Sequence, residues 1–88
     1  MSKAFILTCT NEESGVISVE MFPSSVDARN ALQASYSREI KDANSSGWNE
    51  EEGTLDCRLY NDTAYVWYGE TNYNWRIHKV EFNKELFK

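Results

Sequence analysis

The side chains able to act as nucleophiles, bases or metal ligands are few in this sequence, and their spacing does not suit them to it. There is one histidine, His78, and there are two cysteines, Cys9 and Cys57. A Cys–His catalytic pair needs both groups within hydrogen-bond reach. Strand alternation instead gives both cysteines the apolar parity of their segments and His78 the opposite one. No serine neighbours His78 in the adjoining segments, and one histidine with two inward cysteines makes no tetrahedral metal set. The carboxylates gather in turns, at Glu12-Glu13 and Glu50-Glu51-Glu52, where nothing holds two of them at the separation acid–base hydrolysis requires. Asn11-Glu12-Glu13 lacks the spaced ligands of a calcium loop, and no glycine loop for phosphate is present. The expectation is a protein that is not an enzyme and needs no metal or cofactor.

What these residues do suit is recognition. Arg58, Tyr65, Trp67 and Arg76 share one parity across three consecutive strand-like segments, along with Asp56, Tyr60, Asn74 and His78. Tyr, Trp and Arg are enriched in binding hot spots. The bland alternative is ordinary cross-strand pairing with cation–π contacts of about 0.5–1 kcal/mol each. A second grouping is Gly47-Trp48-Asn49-Glu50-Glu51-Glu52-Gly53, a large aromatic beside three adjacent carboxylates. A solvated polar loop would explain it without function. An aromatic anchor beside negative charge would suit a partner with a basic groove. Trp48 has a third reading, as a plug for the end of a small core.

The elements that must position these groups follow from periodicity. Residues 3–10 alternate, Asn11 to Gly15 is a polar turn, and residues 16–22 alternate again, which signals a β-hairpin. Setting Thr10 opposite Val16 pairs Cys9 with Ile17, Leu7 with Val19 and Phe5 with Met21, an apolar face for the core. Pro23 stops the strand, and Ser24-Ser25-Val26-Asp27 reads as a capping box. A helix over about 25–44 follows, with Ala28, Leu32, Tyr36, Ile40 and Ala43 as its apolar stripe and Gly47 beyond its end.

Strands over 54–60, 63–68 and 73–82 complete the chain, joined at Asn61-Asp62, where Asn tolerates positive φ, and at Gly69 to Asn72. Pairing Tyr60 with Thr63 sets Cys57 opposite Val66, and pairing Tyr68 with Tyr73 sets Val66 opposite Trp75. On that register Tyr65 lies between Arg58 and Arg76, and Trp67 between Asp56 and Asn74. Val80 and Phe82 fall on the wrong parity, so a bulge near His78-Lys79 is expected to return them to the core. Leu86 and Phe87 in the tail are expected either to tuck onto a sheet edge or to be mobile. The fold class is therefore α+β in the order ββαβββ, a five-stranded antiparallel sheet with one helix on one face. The expected core is Phe5, Leu7, Val19, Leu32, Tyr36, Ile40, Cys57, Val66, Trp75 and Ile77.

Composition narrows the partners. With 88 residues the chain forms one domain, 1–88, that buries only roughly 60–65% of its unfolded surface. At 41% hydrophobic and 14% aromatic it has the material for a core. Its net charge of −5 and pI near 4.8 repel phosphate backbones, so direct nucleic-acid binding is not expected. No stretch approaches a membrane span, and the apolar run Ala4 to Leu7 is too short for a secretory signal. The cysteines then read as reduced thiols of a cytoplasmic protein.

Gly47-Trp48-Asn49 with the acids after it, and Tyr60-Asn61-Asp62, together resemble a stretch of a small phage-encoded inhibitor of the type II-A anti-CRISPR group. Unlike that inhibitor, which opens on a helix, this chain opens on a hairpin. The resemblance implies a phage-borne acidic protein that occupies a basic site on a host nuclease. The reading is a small inhibitor or adaptor that binds a host protein with a basic surface, through Trp48, Glu50, Glu51, Glu52, Arg58, Tyr65, Trp67 and Arg76. The rival is a small-ligand or nucleotide-sequestering protein that uses the Tyr65–Arg76 face, closed by a homodimer.

Overall fold

A computed structural model describes residues 2–82. The elements run β1 (Ser2–Asn11), β2 (Gly15–Phe22), α1 (Ser25–Ser45), β3 (Leu55–Leu59), β4 (Thr63–Tyr68) and β5 (Thr71–Phe82). They form one antiparallel sheet in the order β2-β1-β5-β4-β3, and α1 packs on one face of it. The α+β class and ββαβββ order are as the pattern predicts. The two β units join through β1 and β5, paired without interruption from Ser2↔Phe82 to Thr10↔Asn74.

Helix α1 owes its ends to local chemistry. The amide of Asp27 donates to Ser24 Oγ at 3.1 Å, satisfying one of the unpaired N-terminal groups. At the other end Gly47 takes φ 92°, which glycine tolerates. The Trp48 amide then reaches the carbonyl of Ala43 at 3.0 Å and the Gly47 amide that of Asn44 at 3.1 Å, a Schellman closure. That closure turns Trp48 back toward the core.

The core between α1 and the sheet is built of Leu32 and Ala43 from the helix and Leu7, Cys9, Leu55, Ala64, Val66 and Trp75 from the strands, with Leu32 and Val66 fully buried. Tyr36 meets the Trp75 ring edge-on at 6.5 Å, and Ile40, Cys57 and Ile77 pack around the cluster. Leu7, Leu32, Tyr36, Ile40, Cys57, Val66, Trp75 and Ile77 are the expected core residues among them.

Three expectations about register fail. Thr10 does face Val16, but a bulge follows: Cys9 pairs with Ser18, Thr8 with Val19, Leu7 with Glu20 and Ile6 with Met21. Ile17 is the extra residue, and a one-residue slip turns every later side chain to the other face. Val19 therefore leaves the core and is 60% exposed, and Phe5, near the far end of β1 between Phe22 and Lys79, is half-buried and outside the cluster. Next, β5 begins at Thr71. Gly69 at φ 57° allows a two-residue turn, so Tyr68 faces Thr71, Val66 faces Tyr73 and Ala64 faces Trp75. The shift is two residues, which leaves the faces unchanged. Finally, β5 has no bulge at His78-Lys79, and Val80 stays opposite Ala4 on the face away from the helix. The Asn61-Asp62 turn closes through the Tyr60 amide and Thr63 carbonyl at 2.8 Å, with no positive φ at either residue. The expectations for the Phe82 side chain and for Leu86 and Phe87 lie outside the described residues.

Candidate functional site

The sheet face away from α1 carries the first candidate site. Strand alternation delivers Asp56 and Arg58 from β3, Tyr65 and Trp67 from β4, and Asn74 and Arg76 from β5 to this face. The rings of Tyr65 and Trp67 lie 4.5 Å apart, tilted by 36°. Each is held at its polar edge. Tyr65 Oη donates to Asp56 Oδ1 at 3.2 Å, and Trp67 Nε1 donates to Asn74 Oδ1 at 3.0 Å. Partial desolvation and the neighbouring Asp56 carboxylate push the Tyr65 phenol above its ordinary pKa, so it remains a donor. The result is a rigid aromatic pair whose Trp67 ring is 42% exposed.

The two-residue shift in β5 rearranges the expected neighbours. Tyr65 lies between Arg58 and Asn74 rather than between two arginines, and Arg76 sits opposite Thr63 and Thr8. Trp67 lies between Asp56 and Asn72 and reaches Asn74 only diagonally. Arg76 instead flanks a shallow depression of about 490 Å³, lined also by Thr8, Tyr60, Thr63, Tyr65 and His78. Here His78 Nε2 is 3.2 Å from Thr8 Oγ1.

The acidic loop is the second candidate, and it is built rather than loose. Asn49 organises it: its carbonyl accepts from the amides of Thr54 and Leu55 at 3.1 Å, and its Oδ1 accepts from the amide of Glu52 at 2.8 Å. Thr54 Oγ1 accepts from the Asn49 amide at 2.9 Å, and the Gly53 amide reaches the Glu50 carbonyl at 3.0 Å. Trp48 packs against the core with its ring 5.9 Å from that of Tyr68. A Cβ on Gly69 would stand 3.1 Å from the same ring. Trp48 thus closes the end of the core. Glu50 accepts from Cys57 Sγ at 3.2 Å, whereas Glu51 and Glu52 have no side-chain partner among the described residues.

The structure therefore divides the eight residues singled out in the sequence. Arg58, Tyr65, Trp67 and Arg76 come together on one open face. Trp48 and Glu50 are engaged within the fold on the helix side of the sheet, and Glu51 and Glu52 are exposed on the loop between them and β3. Searches for similar proteins found no match to this chain among protein-family profiles, curated proteins or solved structures. The site must therefore be read from its own geometry.

Periodicity missed Val19, Met21 and Val80, which the bulge and the straight β5 place on the open face. No residue type signals the bulge at Ile17, because the alternation of residues 16–22 reads equally well in either register. Among the described residues no cluster of His, Cys, Asp or Glu could hold a metal ion, and no helix is long and apolar enough to cross a membrane. Cys9 and Cys57 are free thiols, and burial pushes Cys9 up to about 11.

Proposed function

We propose that this chain is a small acidic protein-binding domain, an inhibitor or adaptor acting in the cytoplasm, that docks a host protein on the open face of its sheet. The observation that carries this reading is the clamped Tyr65–Trp67 pair, exposed on a face that α1 does not cover. Rings already held in place lose little freedom on binding, which favours them as anchors. Arg58 and Asp56 beside them supply directional polar contacts. The net charge of −5, with Glu51 and Glu52 on an ordered loop, would steer a basic partner toward the domain. The likeness to a phage inhibitor of the anti-CRISPR group supports a nuclease as the class of host protein blocked.

Trp67→Ala tests the proposal against Glu51→Gln/Glu52→Gln. Host proteins captured at low salt by the wild type should be lost with Trp67→Ala. The charge variant should bind them more weakly, mainly through a slower on-rate. Equal capture by wild type and Trp67→Ala would overturn the reading.

A second reading rests on the depression beside Arg76, whose volume of about 490 Å³ falls within the range of small-ligand sites. Arg76 would meet an anionic group and Tyr65 a planar one. Native mass spectrometry of the purified protein decides between them, since a retained small molecule favours this second reading.

A further inference from the structure

We infer that the depression beside Arg76 is an oxyanion site, and that its ligand is a nucleoside monophosphate with its phosphate on Arg76 and Asn74 and its base against Tyr65. The inference rests on the small-ligand reading above and names the class of ligand. Thr8, Arg76 and Thr63 stand in one cross-strand row over β1, β5 and β4, and Thr10, Asn74 and Tyr65 stand in the next. The depression opens over these two rows. No Asp or Glu among the described residues lines it, although the chain carries a net charge of −5. Among the described residues Arg76 makes no ion pair.

The hydrogen bonds already made decide which groups are left for a ligand. An indole N–H only donates, so the bond from Trp67 Nε1 to Asn74 Oδ1 at 3.0 Å fixes that amide with its oxygen toward Trp67. The oxygen is engaged, and the amide N–H groups of Asn74 are left as donors. Asp56 Oδ1, on the same face, is engaged by Tyr65 Oη at 3.2 Å. The depression therefore offers the Arg76 guanidinium, the Asn74 amide N–H groups and the hydroxyls of Thr10 and Thr63. Donors grouped around one guanidinium suit an oxyanion. They come from three strands, and a phosphate monoester, with three acceptor oxygens, meets more of them than a planar carboxylate does. The base follows from Tyr65, whose ring is packed against Trp67 at 4.5 Å and tied to Asp56, a fixed aromatic wall for stacking. A single nucleotide fits where a strand does not, because a run of phosphates is repelled by the net charge of −5.

The experiment is calorimetric titration of the full chain with adenosine monophosphate, adenosine, inorganic phosphate and benzoate, beside native mass spectrometry of the same preparation. Adenosine monophosphate should bind with a dissociation constant below about 1 mM, and the other three at least roughly tenfold more weakly. Arg76→Gln should weaken it by roughly tenfold or more, whereas Lys41→Gln, the same loss of charge from exposed α1, should not. Asn74→Asp keeps an oxygen for the Trp67 N–H but sets a carboxylate in place of the donor, so it should abolish binding. Melting temperatures report whether each variant still folds. Adenosine or benzoate binding as tightly as adenosine monophosphate would overturn the inference and leave the small-ligand reading standing. So would Arg76→Gln or Asn74→Asp binding adenosine monophosphate as wild type does. If none of the four probes binds and native mass spectrometry retains nothing, both fall.

Discussion

At the scale of single residues, the molecule separates the side chains that hold the fold from those it leaves available. Leu32 is fully buried at the centre of the α1 stripe, with Val66 the other large side chain so enclosed. Leu32→Ala should lower stability by about 2–5 kcal/mol through lost transfer energy and the cavity left behind. For a domain of this size that is a large share of the total. Chemical denaturation measures it, and a loss below half a kcal/mol would mean that the stripe does not carry the core. Cys9 gives a test by pH. Burial, with the nearby Glu39 charge adding to it, raises the folded thiol to about 11, above the range of a free cysteine. The unfolded chain then loses this proton first, so the Cys9 contribution is intact below about pH 8.5 and lost as pH rises toward 11. Melting temperature should fall over that window, and less steeply in Cys9→Ala. Thiol reagents should reach half-buried Cys57 before buried Cys9, and both more slowly than in denaturant.

At the scale of elements, the loop between α1 and β3 shows how little composition says about order. Three adjacent glutamates read as a solvated segment, yet Asn49 closes the loop through its amide, carbonyl and side chain. Asn49→Ala removes the bond to the Glu52 amide and should destabilise the domain by about 1 kcal/mol. Hydrogen exchange at Glu52 should accelerate, and protection unchanged there would show that the side chain does not order the loop. Neutralising Glu51 and Glu52 should leave stability within about 0.5 kcal/mol, since both are exposed and neither carboxylate makes a pair among the described residues. Glu50→Gln differs, because its carboxylate accepts from the Cys57 thiol.

At the scale of the whole molecule, one helix on a five-stranded sheet leaves the Tyr65–Trp67 face without a second layer among the described residues. Docking of a basic partner on the acidic domain should weaken as salt rises. Affinity measured across a salt series checks this, and an affinity that stays constant would mean that the net charge does not steer the partner.

Local chemistry alone determined most of the architecture. The period of two in the strands, the Ala28–Ala43 stripe, the Ser24 cap and the turn at Asn61-Asp62 each involve residues close in sequence. Such signals survive without knowledge of the fold. The β3–β4 register and the shared face of Arg58, Tyr65, Trp67 and Arg76 were legible for the same reason. A two-residue error in β5 left that face intact because side chains alternate with period two. Tertiary structure decided the rest. The pairing of β1 with β5 joins the two ends of the chain, and no local pattern encodes it. The bulge at Ile17 sends Val19 and Met21 to the open face, which sequence alone does not specify because the alternation of β2 reads equally well in either register. Trp48 belongs to the core because the Schellman closure turns it inward, against Tyr68 and the bare backbone of Gly69.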